Sequence, residues 1–440
     1  MALSGIQIYK LLPQTNCKEC GFPTCLAFAM KLAAKQVELS ACPYVTETSK
    51  AQLAESAAPP IRLISLKSDG NEVKAGNEVV LFRHEKTFYN KSGLFIKVSE
   101  LDSLETIKAK VSQADAYQVN YVGISLIVDG FAIEAATGSA DKFAEAVKAV
   151  RSCTKRPLIL IGKEANVVGA GLKALDSGEA TLIHAADAKN WESMAELAKQ
   201  NKACLAITAA SLEDLADLTE KVQGKGVEDL VLDPAVSDMG SMLAFNTQIR
   251  RLALKKNFRP LGYPIITFPK NPETATQAVA KYTGFLVLDE FEPETVYPLL
   301  VLRQNIYTDP QKPIQVQPGL YEINNPKPES PVLVTTNFSI TYFSVANEVE
   351  GSGLPAWLVV CDAEGMSVLT AWAAGKFDAE RIAKAVKGAN LVDKISNKRV
   401  VIPGHVAVLS GELEEELSGW DIRVGPREAV DLPKFMKEAL

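Results

Sequence analysis

The chain of 440 residues has few histidines, few cysteines and no long apolar run, and each shortage excludes a class of protein. Its only histidines are His84, His184 and His405, so a site built mainly from imidazole ligands is excluded. No apolar run approaches the roughly twenty residues that cross a bilayer. The net charge is −6, and no basic cluster with interleaved aromatic residues suggests nucleic-acid binding. No signal-peptide pattern is present, so we expect a cytoplasmic globular protein.

What the chain has instead is a group of four cysteines near its start. Cys17, Cys20, Cys25 and Cys42 follow the spacing C-x2-C-x4-C-x16-C, and Pro43 follows the last of them. Four thiolates can hold a metal centre, and a Cys-Pro ending is typical of ferredoxin cluster runs. The pattern therefore favours a 4Fe–4S cluster bound by these four cysteines, which would make the chain a carrier of single electrons.

Other uses of the cysteines remain open. Four thiolates also suit a structural zinc, although zinc ribbons usually carry two C-x2-C pairs and only the first pair has that form here. Disulfides are less favoured in an intracellular chain, and a thioredoxin-like pair is less favoured because no βαβ pattern surrounds it. The remaining Cys153, Cys204 and Cys361 are scattered; the last two lie in apolar runs, and we expect those to be core residues.

Local sequence around the cysteines supports a cluster. Thr24 is a suitable N-cap for a helix over residues 25–34, which places Cys25 in the first turn. Free N–H groups and the positive helix end favour an anionic cluster there. Four apolar side chains can shield it from water: Phe22, Leu26, Phe28 and Met30. In a module of about sixty residues the metal would act as a staple.

Two linkers divide the chain into three predicted domains. Residues 46–60 are polar and rich in alanine, and residues 308–331 contain too many prolines for a regular element. The predicted fold is α/β in class. It comprises an iron–sulfur domain over 1–58, a barrel domain over 59–310 and a further α/β domain over 311–440.

Between the linkers, apolar runs alternate with helical patterns and predict a central (β/α)8 TIM barrel. The eight predicted strands are 79–82, 122–128, 158–161, 181–183, 204–208, 230–232, 265–268 and 285–288. An open doubly wound sheet is the alternative. No nucleophile motif is present, so we expect a scaffold or docking role for this domain.

Polar residues that follow barrel strands are the candidates for chemistry. Asp129, Asp233, Asp289 and Glu290 qualify by position, although helix capping and turns explain such residues as well. His84 and His184 are expected to be ordinary barrel residues.

The last segment predicts a small Rossmann-like domain, whose ligands would lie at the carboxyl ends of its strands. Its predicted strands are 332–335, 357–360, 399–402 and 422–424, and its predicted helices are 379–387, 411–417 and 432–440. The loops that follow the strands are rich in small residues and hydrogen-bond donors, which suits a broad ligand with amide edges. For any single loop, N-caps and turns are an equal alternative.

With these motifs in place, the chain resembles the large (gamma) subunits of the corrinoid iron–sulfur proteins of the reductive acetyl-CoA (Wood–Ljungdahl) pathway. The resemblance covers the whole length and rests on the cysteine pattern, the barrel and the segment from Thr335 to Tyr342. It implies a cobalamin-type cobamide held by the C-terminal domain. The implied cofactor-binding residues are Thr336, Asn337, Phe338, Ser339, Thr341, Tyr342, Ser367, Val368, Leu369, Thr370, Ala371, Gly404, His405, Ala407, Gly425, Pro426 and Arg427.

The resemblance also implies a methyl carrier rather than a stand-alone enzyme, with no catalytic residue of its own. The cobamide would accept a methyl group from methyltetrahydrofolate on a methyltransferase and deliver it to acetyl-CoA synthase/CO dehydrogenase. A smaller TIM-barrel subunit would complete a heterodimer, and a low-potential electron donor would feed the cluster, which reduces Co(II) to Co(I). The Asp-x-His-x-x-Gly motif of many cobamide-binding modules is absent, so we expect a base-off cobamide without a protein histidine ligand.

Two other functions compete with this one. The first is an iron–sulfur oxidoreductase with a nucleotide or flavin in the C-terminal domain, against which the missing G-x-G-x-x-G motif counts. The second is a barrel enzyme stapled by zinc, with Asp233 or Asp289 as its base.

Overall fold

The structure is a computed structural model that describes residues 5–33, 36–46, 48–50, 53, 59–121, 124–175, 178–307 and 314–439. The chain divides into two compact units. The first comprises residues 1–119 and 126–307, and the second comprises residues 120–125 and 308–440.

Two short helices form the N-terminal module, Gly5–Leu11 and Cys25–Ala33, with a 3-10 turn over Leu39–Ala41. The predicted N-cap is confirmed, because the Thr24 hydroxyl accepts a hydrogen bond from the backbone N–H of Ala27 at 3.1 Å. One apolar cluster holds the module together. Its buried members are Ile8, Leu12, Cys25, Phe28, Ala29, Cys42, Val45 and Leu53.

The predicted barrel is confirmed, since eight parallel strands close on themselves. These strands are β3 Gly93–Ser99, β6 Gly130–Glu134, β7 Leu158–Ile161, β8 Leu182–Ala186, β9 Cys204–Thr208, β10 Leu230–Asp233, β11 Ile265–Thr267 and β12 Thr283–Leu288. Around the barrel they follow the order β10-β11-β12-β3-β6-β7-β8-β9. The helices that alternate with the barrel strands are Leu104–Ala116, Ala140–Arg151, Ala165–Lys173, Trp191–Asn201, Leu212–Gly224, Met239–Lys256, Pro272–Ala280 and Pro293–Ile306, with a 3-10 turn over Arg259–Leu261. Side chains of Ser103, Ser139, Ser211, Asp238 and Asn271 cap five of them.

Two of the eight predicted strands were wrong. Residues 79–82 are not a strand: the guanidinium of Arg250 donates to the Val80 carbonyl, and the Glu85 carboxylate accepts from the N–H groups of Leu81 and Phe82. The second wrong strand, 122–128, includes residues 122 and 123, which lie outside the described residues. Its remainder, β5 Ile124–Ile127, pairs with β4 Gln118–Tyr121 in a separate two-stranded sheet. The barrel uses β3 and β6 in their place.

An antiparallel hairpin closes the N-terminal end of the barrel. It consists of β1 Ile64–Ser68 and β2 Asn71–Ala75. Its buried side chains, including Leu66 and Val73, share one apolar cluster with Phe95 and Phe285 of the barrel interior. Burial of apolar surface contributes about 25 cal/mol per Å², so the contact of this floor with the interior stabilises the barrel.

The second unit contains a five-stranded sheet. The strands are β13 Gly319–Ile323, β14 Val332–Thr336, β15 Ala356–Cys361, β16 Arg399–Ile402 and β17 Asp421–Val424, so all four predicted strands are confirmed. Their order in the sheet is β13-β15-β14-β16-β17. The helices are Ser339–Ser352, Val368–Ala373, Ala379–Gly388, Ser410–Glu416 and Leu432–Glu438, with 3-10 turns over Leu391–Asp393, Gly404–Leu409 and Ala429–Asp431. Apolar clusters cover both faces of the sheet.

Strand β13 corrects the predicted linker over residues 308–331, of which 308–313 lie outside the described residues. The five residues of β13 contain no proline, although Pro318 precedes them directly. They pair antiparallel with β15 alone, at the edge of the sheet. An edge strand tolerates neighbouring prolines because one side of its backbone needs no partner.

Candidate functional site

The four N-terminal cysteines share one module and differ in exposure. Cys17 is exposed, Cys20 is half-buried, and Cys25 and Cys42 are buried; all four thiols are free of disulfides. Phe22, the predicted shield, packs on Phe28 with ring centroids 5.7 Å apart. Across the described ranges, these cysteines included, no three side chains of His, Cys, Asp or Glu are spaced to grip one metal ion.

Backbone geometry explains how the cysteine loop turns. Asn16, Lys18 and Gly21 have φ values of 50°, 66° and 82°, in the left-handed region where Asn and Gly are tolerated best. Cys25 begins its helix, and its N–H donates to the Asn16 side-chain carbonyl at 2.8 Å. One of the otherwise unpaired N–H groups of the first helical turn is thereby satisfied.

Tyr44 ties the last cysteine of the pattern to the loop. Its hydroxyl donates to the Glu19 carboxylate at 2.7 Å. That hydrogen bond raises the pKa of Tyr44 most, and the charge of Glu19, slight burial and the nearby thiolates of Cys17 and Cys42 raise it further. Tyr44, two residues after Cys42, is thereby hydrogen-bonded to the loop between Cys17 and Cys20.

A cavity of about 580 Å³ opens at the carboxyl ends of the strands in the second unit. Strand β15 lies on one side of β14, whereas β16 and β17 lie on the other, so the strand order changes direction between β14 and β16. The cavity lining includes Thr335 of β14 and Ile402 of β16, on either side of that point. Ligands of open α/β sheets bind at such switch points.

Eight of the seventeen residues implied by the resemblance line this cavity: Thr341, Ser367, Val368, Leu369, His405, Gly425, Pro426 and Arg427. The remaining nine do not line it: Thr336, Asn337, Phe338, Ser339, Tyr342, Thr370, Ala371, Gly404 and Ala407. All four loops nevertheless contribute to this end of the sheet, as their sequence suggested.

Asn337 ties two loops together rather than lining the cavity. Its side-chain carbonyl accepts hydrogen bonds from the N–H groups of Ala363 and Gly365, at 2.9 and 3.0 Å. Its amide donates to Gln315 and Asp362. The residue is buried, and its four hydrogen bonds fix the loop that follows β15. Ligand contact is therefore not needed to explain it.

The loop predicted after β14 ends sooner than expected, because a helix begins at Ser339. That helix supplies cavity residues that sequence reasoning missed: Ile340, Ser344, Val345, Asn347 and Glu348. They lie on one face, since residues four apart on a helix are neighbours. Continuing the pattern from Thr341 at helical spacing would have found them. Tyr342 instead packs on Tyr321 of β13, with ring centroids 5.0 Å apart.

Two buried hydroxyls in this region have no partner. The Oγ1 atoms of Thr335 and Thr336 are buried without a hydrogen bond in the described part of the chain. Only Thr335 lines the cavity. A buried hydroxyl without a partner costs about 1–3 kcal/mol, so Thr335 provides an unused polar contact for a ligand.

His405 lines the cavity on an exposed turn after β16. Its Nε2 lies 3.8 Å from Oε1 of Glu428, which lines the same cavity. Gly404, just before it, is required by close approach: a Cβ there would lie 2.6 Å from the Gly425 carbonyl oxygen and 2.9 Å from the Arg427 nitrogen. The two loops after β16 and β17 are thus in direct backbone contact.

The barrel residues that the sequence suggested for chemistry lie in different surroundings. Asp129 precedes β6 at the floor end of the barrel, where it accepts from the Leu94 N–H at 2.7 Å and pairs with Arg303, so its predicted place after a barrel strand was wrong. Asp233 ends β10, Asp289 follows β12, and Glu290 is exposed beside it. Asp233 Oδ2 lies 2.8 Å from Nε2 of His184, so His184 is not an isolated barrel residue. His84 stacks on Phe82.

Comparisons with known proteins agree over the full length. A family model described as "CO dehydrogenase/acetyl-CoA synthase delta subunit" matches residues 64–436, and one described as "Putative Fe-S cluster" matches residues 12–44, which include all four cysteines. The corrinoid/iron-sulfur protein large subunit of Moorella thermoacetica is 43% identical, with 100% of both chains covered. The acetyl-CoA decarbonylase/synthase complex subunit gamma of Methanopyrus kandleri is 34% identical, covering 99% of this chain and 98% of that one.

Among solved structures, dihydropteroate synthase from Thermus thermophilus is similar with a TM-score of 0.38 and 15% identity, covering 56% of this chain and 100% of that one. Within the part of the chain that the structure describes, every helix is too short or too polar to span a membrane.

Proposed function

Because this chain belongs to the family of corrinoid/iron–sulfur protein large subunits, we propose that it is a methyl carrier of the acetyl-CoA pathway. It holds a cobamide in the C-terminal unit and a 4Fe–4S cluster on Cys17, Cys20, Cys25 and Cys42. When bound, the cobamide supplies the cobalt that carries the methyl group, and the cluster supplies single electrons that return Co(II) to Co(I). The methyl group comes from methyltetrahydrofolate on its methyltransferase and passes to acetyl-CoA synthase/CO dehydrogenase.

The cavity at the strand-order switch is the observation that carries the cobamide part of the proposal. It combines apolar residues with a few polar ones, including the unpaired Thr335 hydroxyl and the Arg427 side chain. A corrinoid has broad apolar faces and amide edges, which need that mixture. Arg427 and Thr341 would donate to the amide carbonyls of the cobamide, and the small Gly425 would let it approach the backbone.

The donor set of the N-terminal module suits an iron–sulfur cluster. Four free thiols lie in a module with a small apolar cluster, and a match to an iron–sulfur family model covers them. Cys25 at a helix N-terminus is favourably placed for an anionic cluster. The exposed Cys17 marks the side from which a low-potential electron donor can approach.

Exposed apolar residues around the cavity support a covering partner. Ile340 and Val430 are each 67% exposed, and Leu369 is 46% exposed. All three line the cavity, so they form its open rim. Large exposed apolar side chains beside one another mark interaction surfaces. The proposed partner is the smaller TIM-barrel subunit, which would complete a heterodimer in the cytoplasm. We also propose that the chain forms three domains, with boundaries after residues 58 and 310.

Metal analysis tests the proposal directly. The full chain, purified without oxygen after expression with cobamide available, should contain about four irons and one cobalt per chain. Its visible spectrum should be that of a base-off cobamide. Zinc without cobalt would contradict the proposal, and a flavin or nucleotide in the C-terminal unit would favour the oxidoreductase alternative.

A variant of His405 tests the absence of a protein ligand to cobalt. His405 lines the cavity but lies outside any Asp-x-His-x-x-Gly motif. The substitution His405→Gln should leave the visible spectrum of the bound cobamide unchanged. A shift of the spectrum in this variant, absent in a His84→Gln control, would identify His405 as an axial ligand and overturn the base-off assignment.

A further inference from the structure

One exposed surface of the barrel is rich in basic and aromatic side chains that the methyl-carrier function does not use. It is formed by the loop over residues 76–92, which joins the floor hairpin to β3, and by the last turns of the helix Met239–Lys256. Because the loop leads into β3, this surface lies at the amino-terminal end of the barrel strands. We call it the basic face, and its exposed members are Phe82, His84, Lys86, Tyr89, Arg251, Lys255 and Lys256.

Buried contacts join the loop to the helix. The guanidinium of Arg250 lies over two aromatic rings, with its Cζ atom 5.4 Å from the ring centroid of Phe88 and 4.8 Å from that of Tyr282. Phe88 belongs to the loop and Arg250 to the helix. Arg251 follows Arg250 directly, and Lys255 lies one helical turn after Arg251. The exposed side chains of the loop and of the helix therefore belong to one continuous surface.

The charge of this surface is opposite to that of the whole chain. Residues 79–91 and 247–259 together contain eight arginine and lysine residues and one glutamate, a net charge of +7, whereas the chain has −6. The glutamate, Glu85, is turned into its own loop, where Oε2 accepts from the N–H groups of Leu81 and Phe82 at 3.1 and 3.0 Å. Backbone hydrogen bonds, that from Phe82 first, lower the pKa of Glu85, and the charge of Lys255 lowers it further. The exposed charge of the two segments is therefore positive.

The stability of the fold explains only part of this charge. Four exposed cations have no ion-pair partner in the described part of the chain: Lys86, Arg251, Lys255 and Lys256. Cations in the last turn of a helix are favourable, which accounts for Lys255 and Lys256. Arg251 lies before that turn, four residues from Lys255, and like charges at this spacing repel each other. An anionic partner would relieve this repulsion.

Exposed aromatic side chains lie among these cations. Phe82 and Tyr89 are 52% and 47% exposed. Phe82 is stacked on His84, with ring centroids 5.5 Å apart and an angle of 7° between the ring planes. The Lys86 ammonium lies 5.1 Å from the ring centroid of Tyr89. Exposed apolar side chains beside one another mark interaction surfaces, and aromatic residues and arginine are enriched in protein interfaces.

An acidic protein surface fits the basic face better than a nucleic acid does. Nucleic-acid affinity depends on many phosphate contacts, and the net charge of −6 on this chain opposes the approach of a polyanion. Single strands bind by stacking bases on aromatic faces, whereas His84 and Lys86 already occupy one face of Phe82 and of Tyr89. A protein interface instead needs apolar side chains surrounded by complementary charge. Carboxylates beside apolar side chains supply that combination.

We propose that the basic face docks an acidic segment of a partner protein. The carboxylates of that segment pair with Lys86, Arg251 and Lys255, while its apolar side chains pack on Phe82 and Tyr89. Barrels of this kind place their active sites at the carboxyl ends of the strands, so a partner at the opposite end leaves the carboxyl end free. Docking at this face goes beyond the proposed methyl-carrier function and does not depend on iron or cobalt content.

Histidine signals provide the test, because His84 lies in the basic face and the chain has only three histidines. A short peptide of repeating Leu-Glu-Glu is titrated into the intact holoprotein with 13C-labelled histidine rings, and the His84 signal is assigned by its loss in His84→Gln. We expect a saturable shift of His84, without shifts of His184 or His405, and weaker binding at high salt. A peptide of repeating Leu-Lys-Lys should produce no such shift. No saturable shift of His84, or an equal one with the lysine peptide, would overturn the proposal.

Charge reversals locate the binding surface. Lys255→Glu should weaken binding of the Leu-Glu-Glu peptide about tenfold, because an attraction becomes a repulsion. Lys108→Glu is the matched control: it reverses an exposed lysine of the helix Leu104–Ala116, gives the same net charge and should leave the affinity unchanged. If Lys255→Glu fails to fold, Arg251→Glu takes its place with the same expected loss. An equal loss in the control, or wild-type affinity in the variant that folds, would contradict docking at the basic face.

Two other occupants of the basic face are tested in the same samples. Single-stranded oligo-dT is titrated as the peptide is, and a His84 shift at lower concentration than with the peptide would assign the face to a nucleic acid. Sedimentation of the free chain measures self-association, and a dimer that Lys255→Glu dissociates would assign the face to a second copy of this chain. Either result would overturn the proposal of an acidic partner protein.

Discussion

Thr335 and Thr336 are neighbours with the same unpaired buried hydroxyl and different surroundings. Both are fully buried at the end of β14, and only Thr335 faces the cavity. Each hydroxyl destabilises the ligand-free chain, because it loses its hydrogen bonds to water on folding and gains none. A ligand can recover this loss at Thr335 alone. Substitutions at these two positions therefore distinguish an effect on ligand binding from an effect on stability.

The first prediction concerns Thr335→Val, which replaces the hydroxyl by a methyl group of similar shape. We expect the free energy of unfolding of the ligand-free protein to rise by about 1 kcal/mol, since a desolvation penalty is removed. Cobamide binding should weaken about tenfold through the lost hydrogen bond. Denaturant unfolding and cobamide titration measure the two effects.

Thr336→Val is the matched control for that prediction. It should stabilise the chain to a similar extent and leave cobamide affinity unchanged. Equal affinities in both variants would show that the Thr335 hydroxyl makes no contact with the ligand.

Asn337 shows why single contacts escape prediction from sequence. Its residue type and its place after a strand predicted a contact with a ligand. Its actual partners, the N–H groups of Ala363 and Gly365, are 26 and 28 residues away. Local pattern gives no information about which distant loop a side chain will reach. Ligand contact and loop fixing therefore look alike in the sequence.

At the scale of elements, the loops after β16 and β17 meet at Gly404. We predict that Gly404→Ala forces them apart, because its Cβ would lie 2.6 Å from the Gly425 carbonyl oxygen. Overpacking of this kind costs about 1–3 kcal/mol. Cobamide binding should weaken as well, since Gly425 and Arg427 line the cavity. Thermal unfolding and cobamide titration provide the measurements.

Gly411→Ala is the control for Gly404→Ala. Gly411 lies in the helix Ser410–Glu416, and a Cβ there meets no atom within 4 Å. Alanine should stabilise this helix by about 0.5–1 kcal/mol. Tight cobamide binding in Gly404→Ala would mean that the loop contact is irrelevant to the cavity.

The segment around Glu78 yields a prediction about pH. Glu78 Oε1 accepts from the N–H of Tyr89 at 3.0 Å, and Oε2 lies 3.5 Å from Arg250. Burial raises the pKa of Glu78 and outweighs the opposing charge of Arg250. The folded state therefore binds this proton more tightly than the unfolded state. Stability falls as pH rises from the ordinary pKa of Glu toward the raised value. Glu78→Gln should gain stability relative to wild type over that window, as thermal unfolding across acidic pH measures.

Glu72 provides a control of opposite sign. Hydrogen bonds, that with Lys74 first, lower the pKa of Glu72 to about 2. The stability it contributes is present above the ordinary pKa of Glu and is lost as pH falls toward the lowered value. Glu72→Gln should therefore lose stability relative to wild type as pH rises. The same trend in both variants would contradict the assignment for Glu78.

Strand assignment from apolar runs succeeded where the runs were continuous. Strand β7 is wholly apolar, and β9 and β10 are apolar up to their last residues, Thr208 and Asp233; the prediction located each of these strands. The two missed strands are β3 and β6. Lys97 lies inside β3 and interrupts its apolar pattern, which explains why that strand was missed, whereas Glu134 only ends β6.

At the scale of the whole molecule, one variant tests the two proposed cofactors together. Cys25→Ala removes a buried cysteine whose N–H is held by Asn16. We expect cobalt content to stay at the wild-type level while iron is lost, because the proposed cobamide site lies in the other unit. Reduction of Co(II) by an electron donor should stop. Metal analysis and visible spectroscopy follow both effects.

Cys153→Ala provides the control, since Cys153 is a half-buried thiol outside the cysteine pattern. It should keep both its iron and its reactivation. Reactivation of Cys25→Ala at the wild-type rate would contradict the role assigned to the cluster.

The order of parts along the chain was predictable, whereas the cavity was not. Cysteine spacing marks the first module, because metal ligands must be close in sequence when a module is small. The cavity gathers residues from Leu333 to Leu432, which only the sheet topology brings together. The sequence from Ile340 to Glu348 resembled a loop, so the helix that forms one wall of the cavity was not predicted.

The hairpin that floors the barrel has an evolutionary consequence. Ile64 and Leu66 are almost fully buried with Phe95 and Phe285 at one end, whereas the carboxylates of Glu134 and Asp289 reach solvent at the other. Substitutions at the exposed end therefore change the stability of the fold only slightly. Natural selection can change what this barrel recognises, or abandon recognition altogether, without rebuilding the scaffold. The same barrel can thus persist in a lineage while its occupant changes.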